Sequence, residues 1–264
     1  MELTTISVSH YNERARWALA YYGVPYKEHR YMPMFHVVGV LRATRGRGGK
    51  PDGVSTRFST PVLRTDEGEV LTDSAEILAW LEARYATEAR CLYPAAHDRA
   101  IREFERRMHD ELGPHTRRIA YHYGVPKTAN IRALAKGNIG ALQRAVFWPA
   151  APIVLGAVKK GLGVNAHRAE KSLARARAVF DEVADMLGER EFLFGDRFSA
   201  ADLTFASLSA PALLPERGYG AAFRPLSELP AAGREVVEGF RATAAGRFAL
   251  RMFETQRPPS KSSA

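Results

Sequence analysis

The pattern of the sequence changes once, near residue 86, and this change limits the folds that the chain can adopt. Before that point, short β-rich runs alternate with helical segments: strands at 3–8 and 26–31, a helix at 12–22, and a hairpin at 61–64 and 69–72. After it, every periodic segment has helical spacing, at 98–123, 128–147, 151–163, 165–187, 199–213 and 231–256. The sequence therefore predicts a small α/β domain, a linker at 86–94 and an all-helical domain.

The composition of the chain excludes several classes of protein. Hydrophobic residues make up 46% of the 264 residues and charged residues 25%, which are globular values and exclude a disordered or fibrous chain. The single cysteine, Cys91, cannot form an internal disulfide, a Cys-x-x-Cys redox pair or a zinc cluster. We therefore predict no metal site and a reducing cytoplasm. Residues 1–10 carry no Lys or Arg, so they do not resemble a secretory signal.

The net charge of +9 allows nucleic acid, a membrane surface or an anionic ligand as partner. No basic motif interleaved with aromatic residues accompanies this charge, which disfavours nucleic acid. The apolar segment 146–158 contains Pro149 and Pro152 and is shorter than the ~20 residues that a spanning helix needs. We expect a buried or surface-lying helix there and no transmembrane span.

Four motifs occur in order along the chain: Ser9-His-Tyr-Asn-Glu-Arg-Ala-Arg16, Ser59-Thr-Pro-Val-Leu63, Leu71-Thr-Asp-Ser-Ala-Glu-Ile77 and Phe198-Ser-Ala-Ala-Asp-Leu203. The first lies between the first strand and the first helix, and the last contains a Ser-x-x-Asp capping box. Together they resemble the glutathione S-transferase superfamily. The first motif is similar to the omega and related bacterial classes, where Cys or Ser is followed by Pro-Phe-x-Glu-Arg/Lys-x-Arg.

This resemblance implies the glutathione transferase fold, with a thioredoxin-like α/β N-terminal domain and an all-α C-terminal domain. The implied boundaries are 1–85 for the glutathione-binding domain, 95–256 for the helical domain that lines the electrophile site, and 257–264 for a disordered tail. It further implies glutathione as co-substrate, a small hydrophobic electrophile as partner, a detoxification role, and a cytoplasmic homodimer.

The resemblance also implies where glutathione binds. A cis peptide bond before Pro61 would let the backbone of Val62 pair with the extended tripeptide. Asp73 and Ser74 would hold the γ-glutamyl end, because the free N–H groups at a helix start attract an anion. Asp73 is at the same time the expected N-cap of that helix.

Ser9 occupies the position of the superfamily's catalytic cysteine or serine. A hydroxyl donor at a helix N-terminus would stabilise the glutathione thiolate and lower the pKa of the thiol. Tyr11 and Asn12 are competing donors and are also predicted to contact glutathione. Because positions 9 and 12 carry no cysteine, mixed-disulfide chemistry is disfavoured, and conjugation, addition or glutathione-dependent ether cleavage is favoured.

The sequence does not decide the role of two sets of basic residues. Arg14 and Arg16 either attract the carboxylates of glutathione or form surface pairs with Glu13 and Glu28. The basic stretch 42–57 falls where the superfamily contacts the glycyl carboxylate, and the sequence does not single out one residue in it.

The electrophile would lie against the helical domain, where His115, Arg118, Tyr121 and His122 are the predicted side chains. The leading hypothesis is a glutathione-dependent transferase that activates the thiol for attack on a small hydrophobic electrophile. The alternative is a non-catalytic, glutathione-transferase-like binding or regulatory protein.

Overall fold

The computed structural model describes residues 1–259 and 262–263, and it divides into a sheet with its helices and a larger helical part. The sheet has the order β4-β3-β1-β2-β5. β1 is parallel to β2 and antiparallel to β3, as in a thioredoxin-like sheet. The strands are β1 Glu2–Ile6, β2 Tyr26–Tyr31, β3 Val62–Arg64, β4 Val70–Leu71 and β5 Ser262–Ser263.

Eleven α-helices surround and follow this sheet within the described part of the chain. The sheet domain contains α1 His10–Tyr21, α2 His36–Ala43 and α3 Ser74–Tyr85. The helical part contains α4 Asp98–Glu111, α5 Gly113–Ile119, α6 Thr128–Lys136, α7 Ala141–Gly161, α8 Ala166–Leu187, α9 Ala200–Leu213, α10 Ala231–Arg241 and α11 Ala244–Thr255. A π-helical turn, Ala120–Gly124, extends α5. The predicted fold class, a thioredoxin-like domain followed by an all-helical domain, is confirmed.

Helix α9 is the centre of the helical part, because every one of its residues is buried. It begins at the predicted capping box, in which Ser199 N and Oγ each donate to Asp202 Oδ2 at 2.8 Å. The aromatic ring of Trp17 on α1 lies against Phe198, just before α9, and Phe253 on α11, with ring centroids 5.7 and 4.8 Å away. The two parts of the chain therefore share one hydrophobic core.

The predicted helix break at 148–150 is wrong. Helix α7 continues through Pro149 and Pro152, and the chain breaks instead at 137–140. Pro152 has no N–H to donate to the carbonyl of Trp148 one turn earlier. Arg132 supplies the missing donors, with Nε 3.1 Å and Nη2 2.8 Å from that oxygen.

Arg14 and Arg16 do not form surface pairs, because both side chains are fully buried. Arg14 Nη2 donates to Glu105 Oε1 of α4 at 2.8 Å, which joins the two parts of the chain. Arg16 Nε donates to Glu28 Oε1 at 2.7 Å, and its Nη1 lies 3.4 Å from Glu13 Oε2. Each buried guanidinium thus has a carboxylate partner, as a buried charge requires. Neither is free to attract a ligand.

The expectation of a disordered tail at 257–264 does not hold for Arg257 or for Ser262–Ser263. Arg257 is 8% exposed, and its Nε donates to Glu13 Oε1 at 2.8 Å. Ser262–Ser263 pairs with β2 in parallel. Positions 260, 261 and 264 lie outside the described residues.

Candidate functional site

A cavity of about 640 Å³ lies between the sheet domain and the helical part. Its wall on the sheet side is mostly polar: beside Ile6, Val8, Pro33, Met34 and Val54 it includes Ser9, Ser55, Thr56, Ser59, Thr60, Thr72 and Asp73. Its wall on the helical side is mostly apolar and includes Ile119, Val125, Leu134, Val158, Leu162 and Val236. The cavity can therefore hold a polar molecule and an apolar one side by side.

Ser9 lines this cavity at the start of α1. It is the N-cap residue, with φ −75° and ψ 129°, but its side chain does not cap the helix. The first intrahelical acceptor is the Ser9 carbonyl, which accepts from Glu13 N at 3.1 Å, so the three N–H groups before Glu13 have no acceptor inside the helix. The site thus combines a hydroxyl without a partner among the described residues and the positive end of a 12-residue helix.

The two competing donors are held by other contacts. The Tyr11 hydroxyl donates to the His109 carbonyl at 2.9 Å, and burial raises the pKa of Tyr11 above its ordinary range. Asn12 is fully buried and does not line the cavity. Its Nδ2 donates to the Ile6 carbonyl at 2.8 Å and to Thr60 Oγ1 at 3.0 Å. Tyr11 forms part of the wall, while Asn12 fixes the backbone behind it.

The peptide bond between Thr60 and Pro61 is cis, as predicted. Val62 is fully buried and pairs with Thr4 of β1, and it does not line the cavity. Thr60 does line the cavity, and no backbone hydrogen bond joins it to another described residue. The backbone that is open to a ligand is therefore that of Thr60 rather than Val62. The signal in the sequence was the proline, which lacks an N–H and so interrupts strand pairing beside Thr60.

The side chains of Asp73 and Ser74 lie in different environments. Asp73 lines the cavity and caps α3, with Oδ1 accepting from Ala75 N at 2.7 Å. Ser74 is fully buried, and its Oγ accepts from Arg14 Nη1 at 3.1 Å. The Ser74 side chain therefore belongs to the ion-pair network of Arg14 and not to the cavity wall.

Only two of the four predicted electrophile-site residues, Arg118 and Tyr121, line the cavity. His115 instead places Nδ1 3.0 Å from Ser172 Oγ, and burial lowers its pKa. The His122 ring packs edge-on against Tyr123.

Of the two residues that do line the cavity, Arg118 has hydrogen-bond partners and Tyr121 has none among the described residues. Arg118 donates to Ser172 Oγ at 2.6 Å and to the Leu162 carbonyl at 3.2 Å. Burial is the main cause that lowers its pKa. Tyr121 has no hydrogen-bond partner among the described residues, and burial raises its pKa to about 12. Its hydroxyl is therefore a protonated donor without a partner at neutral pH.

Sequence reasoning missed Arg117, which also lines the cavity. Its guanidinium carbon lies 6.0 Å from the centre of the Tyr11 ring, and it has no hydrogen bond or ion pair with any described residue. Its charge helps to lower the pKa of His10, although burial is the larger cause. The sequence did contain a signal: the residues three and four positions before and after Arg117 include no Asp or Glu, so no acid on the same helix face can pair with it.

Two histidines in the cavity wall are neutral at physiological pH. His10 Nε2 lies 2.9 Å from the Gly113 carbonyl, and burial lowers its pKa to about 3. Burial likewise lowers the pKa of His36 to about 4. Neither adds a positive charge to the cavity, so the cations of this site are arginines.

The basic stretch 42–57 contributes backbone and small side chains rather than cations. Arg57 donates to the carbonyls of Arg47 and Gly46 at 2.9 and 3.0 Å, and so closes the loop on itself. The part of this loop that reaches the cavity is 53–56. None of the loop's five basic residues lies in the cavity wall.

Comparisons with known proteins agree with this architecture. Residues 8–84 match the family model described as "Glutathione S-transferase, N-terminal domain". No curated protein matches the sequence.

Solved structures that match include a glutathione S-transferase from Ceriporiopsis subvermispora in complex with glutathione, with a TM-score of 0.61, 16% identity, and 93% of this chain and 90% of that chain covered. The transferase GSTFuA3 from Phanerochaete chrysosporium also matches, with a TM-score of 0.58 and 16% identity, and 96% of this chain and 95% of that chain are covered. A glutathione S-transferase from Rhodospirillum rubrum F11 matches with a TM-score of 0.56 and 16% identity, and 98% of this chain and 96% of that chain are covered. At these identities the likeness shows the fold.

The match therefore shows a glutathione S-transferase N-terminal domain at 8–84, and the solved structures show that the whole chain shares their fold. The omega-like character of the Ser9 motif stays a prediction.

Proposed function

We propose that the protein is a glutathione-dependent transferase that activates the glutathione thiol for attack on a small hydrophobic electrophile. The observation that carries this proposal is the two-sided cavity at the start of α1, mostly polar toward the sheet domain and mostly apolar toward the helices. The similar Ceriporiopsis subvermispora protein was solved with glutathione, which supports the choice of co-substrate.

Glutathione is an extended peptide, and Thr60 offers it an unpaired stretch of backbone. The second carboxylate oxygen of Asp73 has no partner among the described residues, so it can accept from the amine of the γ-glutamyl group. The first turn of α3 lies beside it and favours the neighbouring carboxylate. Ser74 then supports this end of the site indirectly, by holding Arg14.

Three groups of the chain converge to stabilise the thiolate in this proposal. The Ser9 hydroxyl donates to the sulfur, the N-terminus of α1 supplies a positive dipole, and Arg117 supplies a full positive charge. Each of them favours the charged form of the thiol and lowers its pKa. The thiolate is the nucleophile, so a lower thiol pKa gives more of the reactive form at neutral pH.

The apolar wall then receives the electrophile. Its aliphatic side chains select a small hydrophobic molecule, and the free Tyr121 hydroxyl can donate to a polar atom on which negative charge develops. Without a cysteine at position 9 or 12, the sulfur forms its new bond to the electrophile rather than to the protein, either by displacing a leaving group with its electron pair or by adding across a polarised double bond.

The test is a titration of bound glutathione that follows the absorbance of the thiolate. Losing a hydrogen bond to a charged group costs about 1.5–3 kcal/mol, so Ser9→Ala is expected to raise the thiol pKa by about one to two units. Tyr11→Phe is the matched control, because its hydroxyl donates to His109 and not to the cavity. Equal titrations of Ser9→Ala and the natural protein would remove Ser9 from this role. Glutathione binding without any thiolate would instead support the non-catalytic alternative.

A further inference from the structure

The positive charge of the chain is concentrated in one segment. Between Glu111 and Glu170 the sequence contains no Asp or Glu, but it contains nine Lys and Arg residues, which equals the net charge of the whole chain, +9. The rest of the chain is therefore neutral as a whole. This acid-free segment includes α7, a mostly apolar helix of 21 residues.

One side of α7 is apolar and exposed to solvent. Leu142 is 83% exposed, Val146 56% and Ile153 77%. With Pro149 they are spaced four, three and four residues apart, which places them on one helix face about 17 Å long. Trp148 borders this face and is 38% exposed. We call these five residues the α7 face, and no charged residue lies between Arg144 and Lys159 along it.

The opposite side of α7 is packed onto the protein. Phe147, Ala151, Val154 and Leu155 are buried in a hydrophobic cluster that includes Met32 of the sheet domain. By length and composition alone, α7 could cross a membrane. Spanning would expose this packed side, so the helix can meet a lipid surface only by lying flat on it, with the α7 face outward.

Cations flank the α7 face. The guanidinium carbon of Arg132 lies 5.8 Å from the centre of the Trp148 ring. Arg144 donates to the Lys136 carbonyl at 3.1 Å, which holds both residues near the start of the helix. At the other end, Lys160 is exposed and lies two helical turns beyond Ile153 on the same side. Long basic side chains in such positions keep their charge in the headgroup region while their stems cover apolar surface.

We propose that the α7 face docks the protein on an anionic phospholipid bilayer, with α7 in the plane of the interface. An apolar helix side bordered by cations and an aromatic ring suits this interface. Each Lys or Arg near an anionic surface also adds to the attraction. A second copy is the less suitable occupant, because a two-fold contact would bring the same acid-free, basic segment against itself.

The experiment is flotation of the full chain with vesicles of phosphatidylcholine, with and without phosphatidylglycerol. We expect binding to the anionic vesicles that weakens as salt is raised, and little binding to the neutral ones. Tryptophan emission gives a second readout, because Trp17 and Trp80 are buried and Trp148 is exposed. A shift to shorter wavelength on binding therefore reports that Trp148 enters the lipid.

Leu142→Glu/Ile153→Glu tests the α7 face, since both side chains are exposed and their replacement leaves the core intact. The control, Ala174→Glu/Ala232→Glu, adds the same charge at exposed positions of α8 and α10. The face variant is expected to lose at least about tenfold in vesicle partitioning relative to the control, because each glutamate replaces an apolar contact and is repelled by anionic lipid.

Equal partitioning of the two variants would overturn the proposal, as would the absence of binding by the natural protein. Sedimentation in solution identifies the other occupant. A dimer that only the face variant disrupts, together with no vesicle binding, would show that the α7 face meets a second copy instead.

Discussion

His10 makes the stability of the protein depend on pH in a direction that can be worked out from its contacts. The side chain is buried at the base of α1, with Nε2 2.9 Å from the Gly113 carbonyl of α5. Burial, assisted by the charge of Arg117, lowers its pKa from 6.5 to about 3. The folded protein therefore holds His10 neutral across the whole mildly acidic range.

The unfolded chain protonates the same residue near its ordinary pKa of about 6.5. Below that pH only the unfolded state gains the proton, so the stabilisation by neutral His10 is present above pH ~6.5 and is lost as the pH falls. The loss amounts to about 1.4 kcal/mol for each pH unit until the folded pKa is approached. Between pH ~7.5 and ~5.5, His10 alone should lower the free energy of unfolding by about 1.4 kcal/mol.

Urea unfolding at these two pH values, for the natural protein and for His10→Gln, measures this term. Glutamine does not titrate but can still donate to the Gly113 carbonyl. His36, with its lowered pKa, acts in the same direction as His10, and Asp202, whose pKa burial raises to about 6, acts in the opposite direction. Both remain in the variant, so their effects cancel in the comparison. If the two proteins lost equal stability on acidification, the assignment of a neutral, buried His10 would be refuted.

Three further outcomes are expected. Gly113→Ala should lower the stability by about 1–3 kcal/mol in urea unfolding, because an added Cβ would collide with the Tyr11 ring; a more stable variant would contradict this contact. Arg257→Gln should cost about 3 kcal/mol in the same assay, since it removes a partner from the buried Glu13 carboxylate; an unchanged midpoint would show that the pair contributes nothing. Arg117→Gln should raise the pKa of the bound glutathione thiol with little change in protein stability, and a thiol titration identical to that of the natural protein would exclude this cation from the site.

The elements that could be predicted from the sequence are those that local chemistry determines. Asp73 and Ser199 each precede a helix with the side-chain oxygen that an N-cap requires. Asp73 caps α3, and Ser199 forms the expected capping box with Asp202 at the start of α9. The hairpin and the two parallel strands follow in the same way from short apolar runs and turn residues. The cavity position of Ser9 follows from its place between β1 and α1.

What could not be predicted depends on partners distant in sequence. Pro152 would break an isolated helix, but Arg132, twenty residues earlier, satisfies the carbonyl that the proline leaves open. Ser74 has the sequence context of a ligand-binding serine, yet its hydroxyl accepts from Arg14 of α1, which is itself paired with Glu105 of α4. Only the three-dimensional arrangement shows which polar side chains are already occupied.

The ion pair between Arg14 and Glu105 determines how this protein can be dissected. It joins α1 to α4 across the linker, beside the contact of Trp17 with aromatic rings of the helical part. A fragment that ends in the linker would keep Arg14 without its carboxylate partner and Trp17 without the rings that it packs against. Both side chains would then be exposed to solvent, which destabilises the fragment and favours aggregation. Heating should therefore melt the whole chain in a single cooperative transition, and expression of the sheet domain alone should give insoluble material. A helical part taken from a related protein would therefore need an acidic residue at the position of Glu105, where it can pair with Arg14 of the sheet domain.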